Sequence, residues 1–166
     1  MRALQQFAKY EISLKLILKD RQGKMLLLQI PAHSTMAGFY DLPGGRIDER
    51  EKKVSLRTII KREIQEELGR SVRYRMEETP IAIGQHWHYS KRLRREKFAI
   101  IIFFEAKYLG GKVRLSHEHL DYCWVAVHRK NCRKYFVCGI LAGMENYLTK
   151  KFVSNPSSCH NIDVIT

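Results

Sequence analysis

Residues 44–69 read GGRIDEREKKVSLRTIIKREIQEELG, and the chain is organised around this stretch. Leu56, Ile60, Ile64 and Leu68 recur at every fourth position, the stripe of an amphipathic helix packed on a core. The pattern predicts a helix from about Val54 to Leu68, ended by Gly69. At roughly 100° per residue, Glu63, Glu66 and Glu67 fall within an arc of about 100° beside the apolar stripe. Carboxylates gathered at a partly buried edge repel one another and resist ionisation unless a positive charge sits among them. A divalent cation meets that need, and an all-oxygen donor set favours Mg²⁺, Mn²⁺ or Ca²⁺ over zinc. Mg²⁺ on carboxylates is commonly completed by substrate phosphates, so the stretch predicts phosphate chemistry. The plainer alternative for REIQEELG alone is a solvated helix face with Arg62 and Glu66 as an i,i+4 pair. The preceding Leu42-Pro43-Gly44-Gly45 argues against it, because its glycines let backbone approach a ligand closely.

Together these residues resemble the Nudix box, whose pattern is a glycine, five residues, a glutamate, seven residues, then R-E-U-x-E-E-x-G-U with U a bulky aliphatic. Gly45, Glu51, Arg62, Glu63, Ile64, Glu66, Glu67 and Gly69 fill its slots. The chain departs from the pattern in having three extra residues between Glu51 and Arg62, and Arg70 where an aliphatic is usual. Extra residues within the helix would move Glu51 about 4.5 Å back on a similar face, whereas in the loop they need change nothing. The resemblance implies an α/β fold of the Nudix type, an α/β/α sandwich with a mixed sheet between helices. It further implies a metal held by Glu63, Glu66, Glu67, Glu51 and the Gly44 carbonyl, with Arg62 holding the acids in place. An acid in a loop ahead of a tryptophan is common in such enzymes, which makes Glu118 the expected general base or additional ligand, with Glu67 or Glu66 as the alternative base. His117 and His119 beside it are expected to face solvent. The family also places an aromatic ahead of its PGG, as Tyr40 is placed here.

The chain has 166 residues, 45% of them hydrophobic, enough for one domain with a real core. Its organisation is read as a domain over residues 1–152 and a loose tail over 153–166, where the sequence turns polar around Pro156. A formal charge of +13 implies anionic partners: nucleotides, RNA or acidic surfaces. Cys123, Cys132, Cys138 and Cys159 show no CxxC pair and no zinc-finger histidine spacing, so reduced thiols in a cytoplasmic protein are expected. Neither a cleavable leader nor a membrane span is expected from the apolar pattern.

Along the chain, Tyr10–Leu18 and Met25–Ile30 read as a hairpin around DRQGK, and residues 31–45 as a loop. After the helix come a short strand over 72–76, a long hairpin of Ile81–Tyr89 and Phe98–Tyr108 with the charged tip SKRLRREK, and a strand over 121–127. FAIIIFFEA is the expected central strand. One closing helix is expected over Tyr135–Phe152, with Lys150 and Lys151 in its last turn and Gly139 and Gly143 weakening it.

Trp87 and Tyr89 share one strand face and His86 and His88 the other, so the aromatic pair is a candidate platform for a nucleobase, with Tyr40 and Phe39 competing for that role and core packing the alternative for at least one of the pair. Arg92, in the basic tip with Lys91, Arg94 and Arg95, is the candidate for steering phosphates. The expected activity is Mg²⁺-dependent hydrolysis of a diphosphate linkage in a nucleoside diphosphate derivative, with a MutT-like nucleoside triphosphate pyrophosphohydrolase as first choice. ADP-ribose, dinucleoside polyphosphates and 5′-triphosphate RNA are the alternatives within the class. A catalytically silent Nudix module that binds nucleotide or RNA is the alternative outside it. The working unit is read as a monomer or homodimer with no membrane partner.

Overall fold

The structure is a computed structural model that describes residues 7–90 and 94–152, the backbone alone of His88, and the backbone of Ser157–Ser158. Strand β1 (Tyr10–Lys19) lies at the centre of a mixed sheet. It pairs antiparallel with β2 (Met25–Gln29) and, over its whole length, parallel with β6 (Arg95–Gly110), from Tyr10 opposite Phe98 to Lys19 opposite Lys107. On the far side of β6 lie β5 (Ala82–Ser90) and β4 (Arg73–Met76), both antiparallel to it. β2 carries β3 (Tyr40–Asp41) and β7 (Tyr122–Val125). The two-residue β8 (Ser157–Ser158) runs parallel to β5 at His86 and Trp87. The rest of the segment read as a tail lies outside the described residues.

Period-two alternation along the central strands divides the core between the two sheet faces. Leu14, Leu16 and Leu18 with Phe104 and Ala106 meet helix α1 (Leu56–Leu68), which buries Ile59, Ile60, Ile64 and Leu68. Each such side chain contributes about 1.5–3 kcal/mol of transfer free energy. On the other face Ile17, Ile101 and Phe103 meet Phe136 and Met144. Met144 belongs to α3 (Cys138–Leu148), which follows the single-turn α2 (Cys132–Tyr135). The mixed sheet between helices is the expected sandwich, and FAIIIFFEA, in β6, shares its centre with β1.

Three sequence expectations change. The closing helix is two helices, because Phe136 and Val137 are extended and the Phe136 ring is fully buried. Burying that ring turns the chain out of the helix, and Lys150 and Lys151 consequently lie beyond its end rather than in its last turn. The glycines of α3 are packing positions rather than weak points. Gly139 and Gly143, one turn apart, lie over Gly84 of β5, where an added Cβ would come within 2.2 Å of the Gly139 carbonyl oxygen. Finally, Cys123 and Cys132 are free thiols as expected, but Cys138 is disulfide-bonded. Among the described residues no helix is long and apolar enough to cross a membrane.

Candidate active site

Where β2 leaves β1, the Pro43–Ile47 segment takes its place. The Leu16 and Leu14 amides donate to the Pro43 and Gly45 carbonyls at 2.8 and 2.9 Å, and the Ile47 amide donates to Ile12 at 2.9 Å. This zipper holds the two glycines against α1. Gly44, at φ 124°, donates its N–H to Glu67 Oε2 at 2.7 Å. At Gly45 a Cβ would stand 2.4 Å from Glu63 Oε1, so only glycine leaves room for that carboxylate.

The three extra residues lie ahead of the helix, not within it. Asp48 caps a single 3-10 turn, Glu49–Glu51, and Ser55 caps α1 through the Thr58 amide. The turn is closed reciprocally, with the Arg50 amide donating to Asp48 and the Asp48 amide to Glu51. Glu51 therefore still meets Arg62, whose Nε and Nη2 donate to its two oxygens at 2.7 and 3.0 Å. The same guanidinium donates from Nη2 to Glu63 at 2.8 Å and from Nη1 to Glu66 at 2.7 Å. One planar cation thus orients three carboxylates, as a fork of donors can and a point charge cannot. The guanidinium beside it holds Glu51 below the usual carboxylate range. Burial pushes Glu63 up, against the pull of Arg62 and with help from Glu67 and Glu66.

Glu67 stands apart from that triad. It is 4% exposed, and its second oxygen, Oε1, faces His119 Nε2 at 3.2 Å. The helix end explains why a loop residue reaches it: the Arg114 and Ser116 amides donate to the Leu68 and Glu67 carbonyls at 2.9 and 3.0 Å. These bonds satisfy carbonyls that the helix leaves open, and they fix the start of the loop that carries Glu118 and His119. Glu118 is exposed, and its carboxylate, Glu67 and His119 place ligand atoms within 4.8 Å of one another. His117 is exposed as expected, whereas the His119 side chain is only 9% exposed, contrary to expectation.

The Gly44 carbonyl, expected as a metal ligand, faces a cation of the chain itself. It accepts the Lys15 ammonium at 2.6 Å, and Lys15 also donates to Leu42 O at 3.1 Å and Asp41 Oδ2 at 2.8 Å. Nothing in the sequence pattern marks Lys15 or Asp41. Both line a cleft of about 1600 Å³ whose walls also include Glu51, Arg62, Glu63, Glu66, Glu67, Glu118 and His119. Trp87 and Tyr89 border the cleft, Tyr89 being 58% exposed, and His86 contributes from the opposite face of β5. Tyr40 does not line it. Asp41, next along β3, takes the position facing Lys15, while Tyr40 packs edge-on against Tyr135 with ring centroids 5.8 Å apart. Arg92, Lys91 and the tip between them and β6 lie outside the described residues, apart from the exposed Arg94 and Arg95. Arg46 and Arg50 line the cleft and carry exposed basic charge there.

A mixed sheet between helices, with a glycine-lipped cluster of carboxylates at the helix that follows the lip, defines an α/β/α sandwich of the Nudix type. A family model of the NUDIX domain matches residues 9–134, and the chain belongs to that family. CTP pyrophosphohydrolase of Escherichia coli (strain K12) is 44% identical over 50 residues, which are 30% of this chain and 35% of that protein. The match thus spans about a third of that relative's length. Among solved structures, the MutT protein from Methanosarcina mazei Go1 is 29% identical with a TM-score of 0.59, covering 88% of this chain and 95% of that one. The E. coli ORF135 protein is 26% identical with a TM-score of 0.54, covering 82% and 89%.

Proposed function

We propose that the chain is a divalent-metal-dependent Nudix hydrolase that splits a nucleoside triphosphate into the monophosphate and pyrophosphate. The observation that carries this reading is the assembly of all four box carboxylates, oriented by Arg62 and by the Gly44 amide, on one wall of a cleft large enough for a nucleotide. The donor set suits Mg²⁺ or Mn²⁺: hard oxygens on Glu63, Glu66 and Glu67, with Glu118 across from them and a glycine-only space beside the Glu63 carboxylate. When bound there, such an ion polarises phosphoryl oxygens and lowers the pKa of water. The oxygen of water bonds to one phosphorus of the α–β anhydride, the bridging P–O bond breaks with its electrons on the other phosphate-bearing fragment, and the water's proton passes to a carboxylate.

The chain's own residues supply position and field. Arg62 keeps Glu51, Glu63 and Glu66 in one arrangement, so little reorganisation accompanies the reaction. Arg46 and Arg50 draw the polyphosphate toward the acids. Trp87 and Tyr89 offer ring faces to the nucleobase. A pyrophosphohydrolase for CTP and a MutT protein among the similar proteins favour a triphosphate over the other anhydrides. The deciding experiment is product analysis of the purified chain with Mg²⁺ or Mn²⁺ against the eight common nucleoside triphosphates, ADP-ribose and 5′-triphosphate RNA. Monophosphate and pyrophosphate in metal-dependent amounts are expected. Turnover of ADP-ribose or RNA alone would move the substrate, and nucleotide binding without turnover would make the chain a silent module.

A further inference from the structure

The donor set around Glu67 contains a nitrogen. We propose that His119 is a direct ligand of the metal site together with Glu67 and Glu118, and that the site consequently prefers Mn²⁺, or another imidazole-binding divalent ion, to Mg²⁺. This rests on the reading of the site as a metal centre and adds to it a ligand and a selectivity.

Three observations carry it. The His119 Nε2 to Glu67 Oε1 separation is 3.2 Å. Two neighbouring ligands of an octahedral ion, each about 2.2 Å from it, lie about 3.1 Å apart, so the pair already has the spacing of one coordination edge. Second, the His119 side chain is nine-tenths buried and aimed at the carboxylates, yet its Nδ1 has no hydrogen-bond partner among the described residues. With Nδ1 unpartnered, the ring's one polar contact among the described residues is through Nε2, the nitrogen that faces Glu67. Third, the loop does not swing freely, because Arg114 and Ser116 are bonded to the end of α1. First-row divalent ions from Mn²⁺ onward accept an imidazole nitrogen beside carboxylates, with affinity rising along the row, whereas Mg²⁺ favours an all-oxygen shell. A histidine in the set therefore shifts selectivity.

The test uses the full chain in its metal-bound form and reads the metal, not turnover. Pulsed EPR of the Mn²⁺ complex is expected to show nitrogen modulation from a bound imidazole, replaced by the ¹⁵N pattern when histidine alone is ¹⁵N-labelled. That labelling needs no substitution, so it stands even where a variant folds poorly. In His119→Gln the modulation is expected to vanish and Mn²⁺ affinity to fall about tenfold or more, while Mg²⁺ affinity stays within about twofold. His117→Gln is expected to change neither. Bound Mn²⁺ without nitrogen coupling, or equal losses for both ions in His119→Gln, would overturn the ligand assignment and leave His119 as a hydrogen-bond donor that orients Glu67. Failure of the wild-type chain to bind Mn²⁺ at all would overturn the metal-centre reading and this inference with it.

Discussion

Gly45 has no side chain because the Glu63 carboxylate stands where one would be. Alanine there keeps an ordinary backbone, so the expected result is specific. Gly45→Ala pushes Glu63 out of line and lowers kcat about 10²-fold, with a melting temperature close to wild type. Parallel steady-state kinetics and thermal melts check it, and unchanged turnover would show that Glu63 has room to spare. Glu63 itself illustrates the tension between site and stability. Burial, the largest influence, raises its pKa above the ordinary 4.5, so the fold disfavours the charged form. The sign follows from linkage: a carboxyl with a raised folded pKa weakens the fold above that pKa, and the handicap disappears as pH falls below 4.5. Glu63→Gln is therefore expected to melt higher than wild type at pH 7 in EDTA, with the gap closing in acid, while hydrolysis is lost by orders of magnitude. A lower melting temperature for the variant at pH 7 would mean that the bond from Arg62 outweighs burial.

Local patterns made the elements legible. The four-residue apolar stripe located α1 to within two residues, and the uniform apolarity of FAIIIFFEA located the centre of the sheet. The Arg62 and Glu66 pairing was readable because it lies within one helical turn. What the sequence hid depends on tertiary meeting. Lys15 looks like one polar member of an alternating strand, and the face it shares with Glu11 and Ser13 reads as solvent when it is the floor of the cleft. His119 looked like a loop histidine because nothing local records that the loop is bonded to the end of α1. The glycines of α3 looked unfavourable because propensity knows nothing of Phe103. Gly143 tests that last point: a Cβ there would lie 2.0 Å from the Phe103 ring. Although alanine gains about 1 kcal/mol in helix propensity, overpacking costs about 1–3 kcal/mol. Gly143→Ala is expected to lower the urea midpoint, and a raised midpoint would show that the helix can move off the sheet.

At the scale of the whole molecule, the excess of thirteen positive charges acts on any polyanion, but its reach depends on the substrate's length. A triphosphate brings only its own three phosphates to the carboxylates, whereas an RNA 5′ end carries further phosphates for Lys91, Arg92, Arg94 and Arg95 to neutralise. Replacing all four with Gln is expected to leave kcat/KM for the triphosphate nearly unchanged across salt. For RNA each neutralised phosphate contributes about −0.7 to the slope of log affinity against log salt, so the same variant would flatten that slope by up to about 3. A steep, tip-dependent slope with efficient RNA turnover would reassign the substrate. The parallel register of β1 with β6 has a further consequence, in the order of synthesis. β1 emerges early, yet its partner along all ten positions begins at Phe98, more than half the chain later. A nascent chain that has already exposed every carboxylate of the box still lacks the strand that fixes the sheet beneath them. A fragment ending near residue 90 is accordingly expected to carry the whole motif without binding metal, as isothermal titration with Mn²⁺ would show. On that outcome, metal uptake by the box waits for the synthesis of β6.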